Sequence, residues 1–414
     1  MRGLIEGFYG TPWSWDQRIE VCRAVGAAGM DTYLYAPKDD PLHRSDWRTP
    51  YPGSVLDGFE RLVAEQPLRV GFSVSPGLSM DAGSAEDRAA LLGKYRTVIE
   101  RGVRLVGLLF DDLDPSPGLG TVHGRATAWL REQLPDDVEL VMVPLHYTGV
   151  TASPYLEELV AEVPREVAIA WTGPYVVNEV ITAQDARDWS AAMGGRRPLL
   201  WDNTPVNDAL MTRHLFTGPL RGRDPDLPAE LSGYLANPMV QARASLPALL
   251  SAAAWSRGED PAAAWDDALG EHRVLMEGCD GGLPARLAAA GLGGDHRALA
   301  ELEAWFGAAE RCDAGDLGDE VQPWVDQLRE EAKVGKVACQ VLRADPVEAA
   351  QVAPILYLMW PPRSAAVEVL GGRGALLPAL GQDVQSRWVA AGASFRPPAN
   401  VVDRLVEAVF ARLG

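Results

Sequence analysis

Up to about position 258, apolar residues come in short runs separated by longer stretches with helical spacing. Leu4 to Gly10, Thr32 to Pro37, Arg69 to Val74, Leu105 to Phe110, Glu139 to Pro144, Val167 to Trp171, Pro198 to Trp201 and Leu231 to Leu235 read as strands. Short apolar runs bounded by turn residues suit strands buried on both faces, as in a parallel sheet. Between them lie helical stretches: Trp15 to Ala28, about Val55 to Ala64, Ser84 to Arg101, Gly124 to Leu134, one starting at Ser153-Pro154, Thr182 to Met193 and Gln241 to Trp255. In the first, Ile19, Cys22, Val25 and Ala28 fall at helical spacing. Ser84 is a candidate N-cap with Glu86 and Asp87 in the first turn, and Ser153 a cap followed by proline. This alternation predicts an α/β fold, a closed (β/α)8 TIM barrel. A doubly wound open sheet is the alternative, but it usually has fewer strands and needs a phosphate loop or a switch-point ligand.

After Arg257-Gly258-Glu259-Asp260-Pro261 the strand-like runs nearly vanish. Pro261 to Leu275, Leu283 to Ala290, Arg297 to Cys312, Glu320 to Arg343, Pro346 to Trp360 and about Asn400 to Leu413 read as helices rich in Ala, Leu and Glu. Gly371-Gly372-Arg373-Gly374 and Arg396-Pro397-Pro398 punctuate the tail. The expected organisation is a barrel over 1–258 and an all-α helical domain over 259–414.

Composition narrows the class. The 414 residues carry a net charge of −19, which argues against nucleic acid, whose phosphates select basic surfaces. No run approaches the length of a membrane span, and Met1-Arg2-Gly3-Leu4-Ile5-Glu6 enters structure without a signal-peptide apolar region, so the expected location is cytoplasmic. Cys22, Cys279, Cys312 and Cys339 form no CxxC pair and the six histidines no HxxxH spacing, so no metal site is expected. Neither Gly-Gly pair, Gly194-Gly195 or Gly293-Gly294, follows a strand as a phosphate loop requires.

Barrel chemistry gathers at the C-terminal ends of the strands. Those ends read Glu6-Gly7-Phe8-Tyr9-Gly10, Ala36-Pro37-Lys38-Asp39-Asp40, Asp111-Asp112, His146-Tyr147, Trp171-Thr172-Gly173, Trp201-Asp202-Asn203 with Asn207-Asp208, and Asn237-Pro238. The set holds aromatic rings, amides, carboxylates and a lysine, which suits a carbohydrate: rings stack on sugar C–H faces while the polar groups take hydroxyls. Singly, each has a plainer reading. Asp111-Asp112 is also a turn or helix cap, Lys38-Asp39-Asp40 a solvated charge cluster, and Trp171 and Trp201 barrel core. Together, on one predicted face, they form a candidate site with Asp111 and Asp112 as a catalytic pair.

Glu6-Gly7-Phe8-Tyr9-Gly10-Thr11-Pro12-Trp13, Tyr33-Leu34-Tyr35-Ala36-Pro37-Lys38-Asp39-Asp40, Leu109-Phe110-Asp111-Asp112, Trp171-Thr172-Gly173-Pro174 and Trp201-Asp202-Asn203 resemble, in order, glycoside hydrolase family 84. These are the O-GlcNAcases and bacterial β-N-acetylglucosaminidases. The resemblance runs from Gly3 to about Trp255. It implies a retaining exo-β-N-acetylglucosaminidase that works by substrate-assisted catalysis, without metal or organic cofactor. It casts Asp111 as the residue that polarises the substrate's acetamido group and Asp112 as general acid/base. Gly7, Lys38, Asn203, Asp208 and Asn237 match positions that bind the sugar, Tyr147 the tyrosine of the acetamido pocket, Trp201 the wall that closes it, and Val176 a residue lining the cleft. His146 stands where the family often has glutamate. The implied substrate bears terminal β-linked GlcNAc, on Ser or Thr of proteins, or on glycans, cell-wall fragments or small glycosides. The resemblance also implies a homodimer through the helical domain. A non-hydrolytic GlcNAc-binding protein is the alternative of another class. In the implied chemistry two adjacent acids repel, which is expected to keep a proton on one of them near neutral pH.

Overall fold

The computed structural model describes residues 1–66, 68–359, 367–370 and 400–413; Trp360 and the motifs at 371–374 and 396–398 lie outside them. Eight strands, β1 (Arg2–Glu6), β2 (Thr32–Tyr35), β3 (Arg69–Val74), β4 (Leu105–Leu109), β5 (Glu139–Val143), β6 (Ala168–Trp171), β7 (Leu199–Asp202) and β8 (Gly233–Ala236), form a closed barrel in sequence order. All pairings are parallel, and closure is made by β1 on β8, with Leu4 opposite Ala236. The open-sheet alternative is thereby excluded.

The apolar runs are continuous because the two faces of each strand meet different cores. Ile5, Leu34, Leu105, Leu109, Val141, Val143, Leu199 and Leu235 pack together in the barrel interior. Their neighbours Leu4, Tyr33, Val106, Leu108, Met142 and Leu200 pack against the surrounding helices. Successive side chains alternate between faces, so the parity of a residue states which core it faces.

The helices of the barrel are α1 (Trp15–Ala27), α2 (Gly53–Glu65), α3 (Ala85–Ile99), α4 (Leu119–Gln133), α5 (Pro154–Glu162), α6 (Ala183–Ala192), the short α7 (Leu227–Glu230) and α8 (Leu246–Ser256). Ser14 with Gln17, and Thr182 with Asp185, close reciprocal capping boxes at α1 and α6, and the expected caps Ser84 and Ser153 accept the amides of Asp87 and Leu156. Several expected boundaries shift. β1 stops at Glu6, where the amides of Gly7, Tyr9 and Gly10 turn to the side chains of Asn237, Asp208 and Asp39. α4 begins at Leu119 rather than Gly124, since its weak helix formers are there for space: a Cβ on Gly120 would lie 2.2 Å from the Tyr155 carbonyl oxygen of the next helix. β8 starts at Gly233 and α8 at Leu246, after a 3-10 turn over Arg243–Ser245.

The remaining helices are α9 (Pro261–Ala268), α10 (Arg273–Asp280), α11 (Gly282–Leu292), α12 (His296–Ala309), α13 (Gln322–Arg343), α14 (Pro346–Met359) and α15 (Val401–Leu413). The single helix expected over Pro261 to Leu275 is broken at Gly270, which takes a left-handed φ of 49°. Leu302, Phe306, Val325, Leu328 and Leu405 centre a second apolar core, which also takes in Leu215, Met239 and Ala244. None of the helices described is long and apolar enough to cross a membrane.

Candidate active site

The inward parity of the strands continues into the loops at their C-terminal ends. Beyond Ile5 comes Gly7, beyond Leu34 and Ala36 Lys38, beyond Leu109 Asp111, beyond Val143 Tyr147, beyond Leu199 Trp201 and Asn203, and beyond Leu235 Asn237. The outward positions between them have structural work. Glu6 is fully buried against α1, where Arg18 binds it through two nitrogens at 2.8 Å and the Tyr33 hydroxyl donates to it. Asp202 is held in the same way by Arg223 at 2.8 and 2.9 Å.

All ten residues expected at the site line one cavity of about 150 Å³: Gly7, Lys38, Asp111, Asp112, Tyr147, Val176, Trp201, Asn203, Asp208 and Asn237. Tyr9, Thr172, Val177, Val206 and Met211 complete much of its wall. A chain of amides sets its floor. Asn237 accepts the Gly7 amide at 3.1 Å and donates to Asn203 Oδ1 at 2.9 Å, which also accepts Trp201 Nε1–H at 3.0 Å. Asn203 donates in turn to the Val176 carbonyl at 2.8 Å. Gly7 has to lack a side chain, since a Cβ there would lie 2.2 Å from the Trp201 ring. Asp208 accepts the Tyr9 amide at 2.7 Å, and burial pushes its carboxyl up to about 6.

The two aspartates are unlike. Asp111 is buried; its Oδ2 accepts from the Lys38 ammonium, and its Oδ1 has no hydrogen-bond partner among the described residues. The Lys38 nitrogen also lies 4.0 Å from Asp112 and 5.5 Å from the centre of the Trp201 ring. Asp112 has the outward parity and reaches the cavity only because its backbone turns left-handed, with φ 57°. Its carboxylate accepts the hydroxyls of Tyr9 at 2.8 Å and Tyr147 at 2.9 Å. Arg44 lies 3.7 Å from the same carboxylate and donates to the Asp112 carbonyl at 3.3 Å and the Tyr9 hydroxyl at 3.1 Å.

Burial acts to raise the Asp112 pKa, but Lys38, the Tyr9 and Tyr147 hydroxyls and Arg44 outweigh it and hold the carboxyl below its ordinary value. Two cations and two hydroxyls thus favour the anion at Asp112 and work against the repulsion of its neighbour. Tyr147 lines the cavity and gives its hydroxyl to Asp112. His146 faces a neighbouring groove that shares Asp112, Tyr147 and Val176 with the cavity. Its Nδ1 is 2.9 Å from the Ser153 hydroxyl, and burial lowers its pKa.

Lys38 occupies the position between the carboxylates where a divalent cation would have to lie. Among the described residues, the group with metal-ligand spacing is Glu271, His272 and Asp316, outside the cavity. Tyr9 belongs to a strand end already in the candidate set, and the structure adds Arg44, which sits in no recognisable sequence pattern.

Comparison with known proteins gives a consistent result. The family model described as beta-N-acetylglucosaminidase matches residues 2–277. The protein O-GlcNAcases of Rattus norvegicus and Mus musculus are each 31% identical over 271 residues, a match that covers 61% of this chain and 29% of theirs. The chain therefore corresponds to less than a third of those relatives' length. Among solved structures, a mutant O-GlcNAc hydrolase of Thermobaculum terrenum is similar with a TM-score of 0.77 at 24% identity, over 100% of this chain and 94% of that one. CpGH84B is similar with a TM-score of 0.76, also at 24%, over 99% and 76%. At this identity the two structures speak to the fold.

Proposed function

The chain belongs to the β-N-acetylglucosaminidase family of glycoside hydrolases, and from that premise we propose that it removes a single terminal β-linked GlcNAc with retention, the sugar's own acetamido oxygen acting as nucleophile. The observation that carries this reading is the divided carboxylate of Asp111. One oxygen is tied to Lys38; the other is buried and has no partner among the described residues, and a buried acceptor without a donor is costly. An acetamido N–H from the substrate is the donor that such an oxygen suits.

In the first step Asp111 accepts the acetamido N–H as the amide oxygen attacks C1. The C1–O bond to the leaving group breaks, and Asp112 gives its proton to the departing oxygen. The product is an oxazolinium ion that keeps its N–H, hydrogen-bonded to the Asp111 carboxylate, and no enzyme carboxylate bonds to the sugar, an exception to the usual retaining scheme. In the second step Asp112 takes a proton from water, the water oxygen bonds to C1, and the C1–O bond of the oxazolinium ion opens. Substrate covering the part of Asp112 now exposed deepens its burial, which favours uptake of the proton the first step needs. Gly7, Lys38, Asn203, Asp208 and Asn237 bind the sugar hydroxyls and acetamido region, Trp201 walls the acetamido group, and Val176 lines the cleft.

We read the aglycone as a Ser or Thr side chain of a protein, on the strength of the 31% identity to protein O-GlcNAcases. The test is hydrolysis of an aryl β-GlcNAc glycoside, the matching aryl β-glucoside, a GlcNAc-bearing peptide and chitobiose. The reading expects turnover of the first and third, and none of the glucoside, which lacks the nucleophile. Equal turnover of glucoside and GlcNAc glycoside contradicts the mechanism. Binding without turnover makes the chain a lectin-like protein. Chitobiose outrunning the peptide moves the substrate to glycans.

A further inference from the structure

We propose that Arg44 is a positioning residue for Asp112, holding the backbone carbonyl and the tyrosine hydroxyl that aim the acid/base. The proposal rests on the reading of Asp112 as acid/base.

Arg44 does not line the sugar cavity. It lies behind Asp112, its side chain 12% exposed, and forks across two elements: Nη2 to the Asp112 carbonyl at 3.3 Å and Nη1 to the Tyr9 hydroxyl at 3.1 Å. The same Tyr9 hydroxyl donates to the Asp112 carboxylate at 2.8 Å. One planar cation thus holds both ends of the residue. The carbonyl contact matters because Asp112 is a non-glycine residue at φ 57°, a conformation that costs on the order of 1–3 kcal/mol and persists only where its surroundings enforce it. Relaxed to an extended backbone, Asp112 would follow its parity and face away from the cavity.

Arg44 is itself carried on a stiff turn. Asp40 accepts the Leu42 amide at 2.9 Å, and the Lys94 ammonium donates to the Leu42 carbonyl. His43 is fully buried, with Nδ1 2.9 Å from the Ser73 carbonyl, and its own carbonyl accepts the Ser75 amide at 2.9 Å. Burial, then Lys38, lower the His43 pKa to about 3, so this anchor does not change charge near neutral pH. A planar fork on a fixed base is what bridging two acceptors requires, and an ammonium cannot reproduce it.

The charged and titratable groups facing Asp112 are Lys38 and Arg44 from the loop after β2, Tyr9 after β1, Asp111 beside it, Tyr147 after β5 and Asp208 after β7. Arg44→Met deletes one of the two cations, so the Asp112 pKa rises and the basic limb of the kcat/KM profile moves to higher pH. With a poor leaving group, kcat should fall roughly 10- to 100-fold, part of the ~10²–10⁴-fold that a placed general acid supplies, while KM stays within about threefold. A good leaving group should lose less. Arg44→Lys should keep the limb near its wild-type position yet recover only part of kcat, because charge returns without the fork.

The deciding experiment is the cycle of Arg44→Met, Asp112→Ala and the double variant on both leaving groups. A double variant no slower than Asp112→Ala supports the proposal. Losses that multiply, beside an Asp112→Ala loss that depends on the leaving group, overturn the role of Arg44 alone. An Asp112→Ala variant indifferent to the leaving group overturns the acid/base reading and this proposal with it.

Discussion

Lys38 grips one oxygen of Asp111 and leaves the other buried without a partner among the described residues. The lysine thereby fixes the carboxylate's orientation as well as balancing its charge. Lys38→Met would leave a charge buried and unpaired, which is costly, so the anion required by the acetamido N–H would be lost. Turnover of GlcNAc glycosides should fall by at least ~10²-fold whatever the leaving group, as for loss of one preorganised electrostatic contact. Asp111→Asn should show the same indifference. Steady-state rates on two aryl leaving groups check both, and a loss confined to the poor one would assign Asp111 the proton-donor role instead.

The Asp112 surroundings make a prediction about pH. A general acid must be protonated, so the basic limb of the profile marks its pKa. In the free enzyme Lys38, Tyr9, Tyr147 and Arg44 hold that pKa down; a bound sugar deepens burial and lifts it. With a poor leaving group, the basic limb of kcat should therefore lie at higher pH than that of kcat/KM. Coincident limbs would show that substrate does not change the protonation of Asp112.

Gly7→Ala places a methyl group where the Trp201 ring stands, 2.2 Å from its carbon. Because Trp201 is tied to Asn203, and Asn203 to Asn237 and Val176, the displacement should spread along the amide floor. KM should rise for GlcNAc glycosides while the melting temperature changes little, since the change lies at the barrel mouth. Kinetics paired with thermal unfolding separate these outcomes.

How much of the site is legible in the sequence follows from parity. The strands show as apolar runs, and the same alternation, carried into the loops, separates inward Gly7, Lys38, Asp111, Trp201 and Asn237 from outward Glu6 and Asp202. What alternation cannot show is a backbone that breaks it. Asp112 enters the site through a left-handed turn at a non-glycine residue. Arg44 acts from the middle of a turn whose geometry depends on a buried histidine and on Asp40, contacts with no local pattern. The electrostatic surroundings of Asp112 are hidden for the same reason: the neighbouring acid is visible in the sequence, the encircling cations and hydroxyls are not.

The outward carboxylates belong to stability. Arg223 and Asp202 are nearly fully buried and paired through two hydrogen bonds. Arg223→Met strands Asp202 in the β7 wall and should cost roughly 3–5 kcal/mol, as when one partner of a buried pair is removed. Denaturant unfolding checks the figure; a change under about 1 kcal/mol would mean that water reaches Asp202.

Acetamido participation is tested most directly by an aryl glycoside series carrying acetyl, fluoroacetyl, difluoroacetyl and trifluoroacetyl groups on the sugar nitrogen, with kcat/KM measured for each. Fluorine withdraws electrons from the amide oxygen without touching the leaving group. If that oxygen is the nucleophile, held by Asp111, kcat/KM falls steeply with each added fluorine. A flat series would mean that an enzyme group or water attacks C1, and would contradict the role of Asp111 as the acceptor of the acetamido N–H.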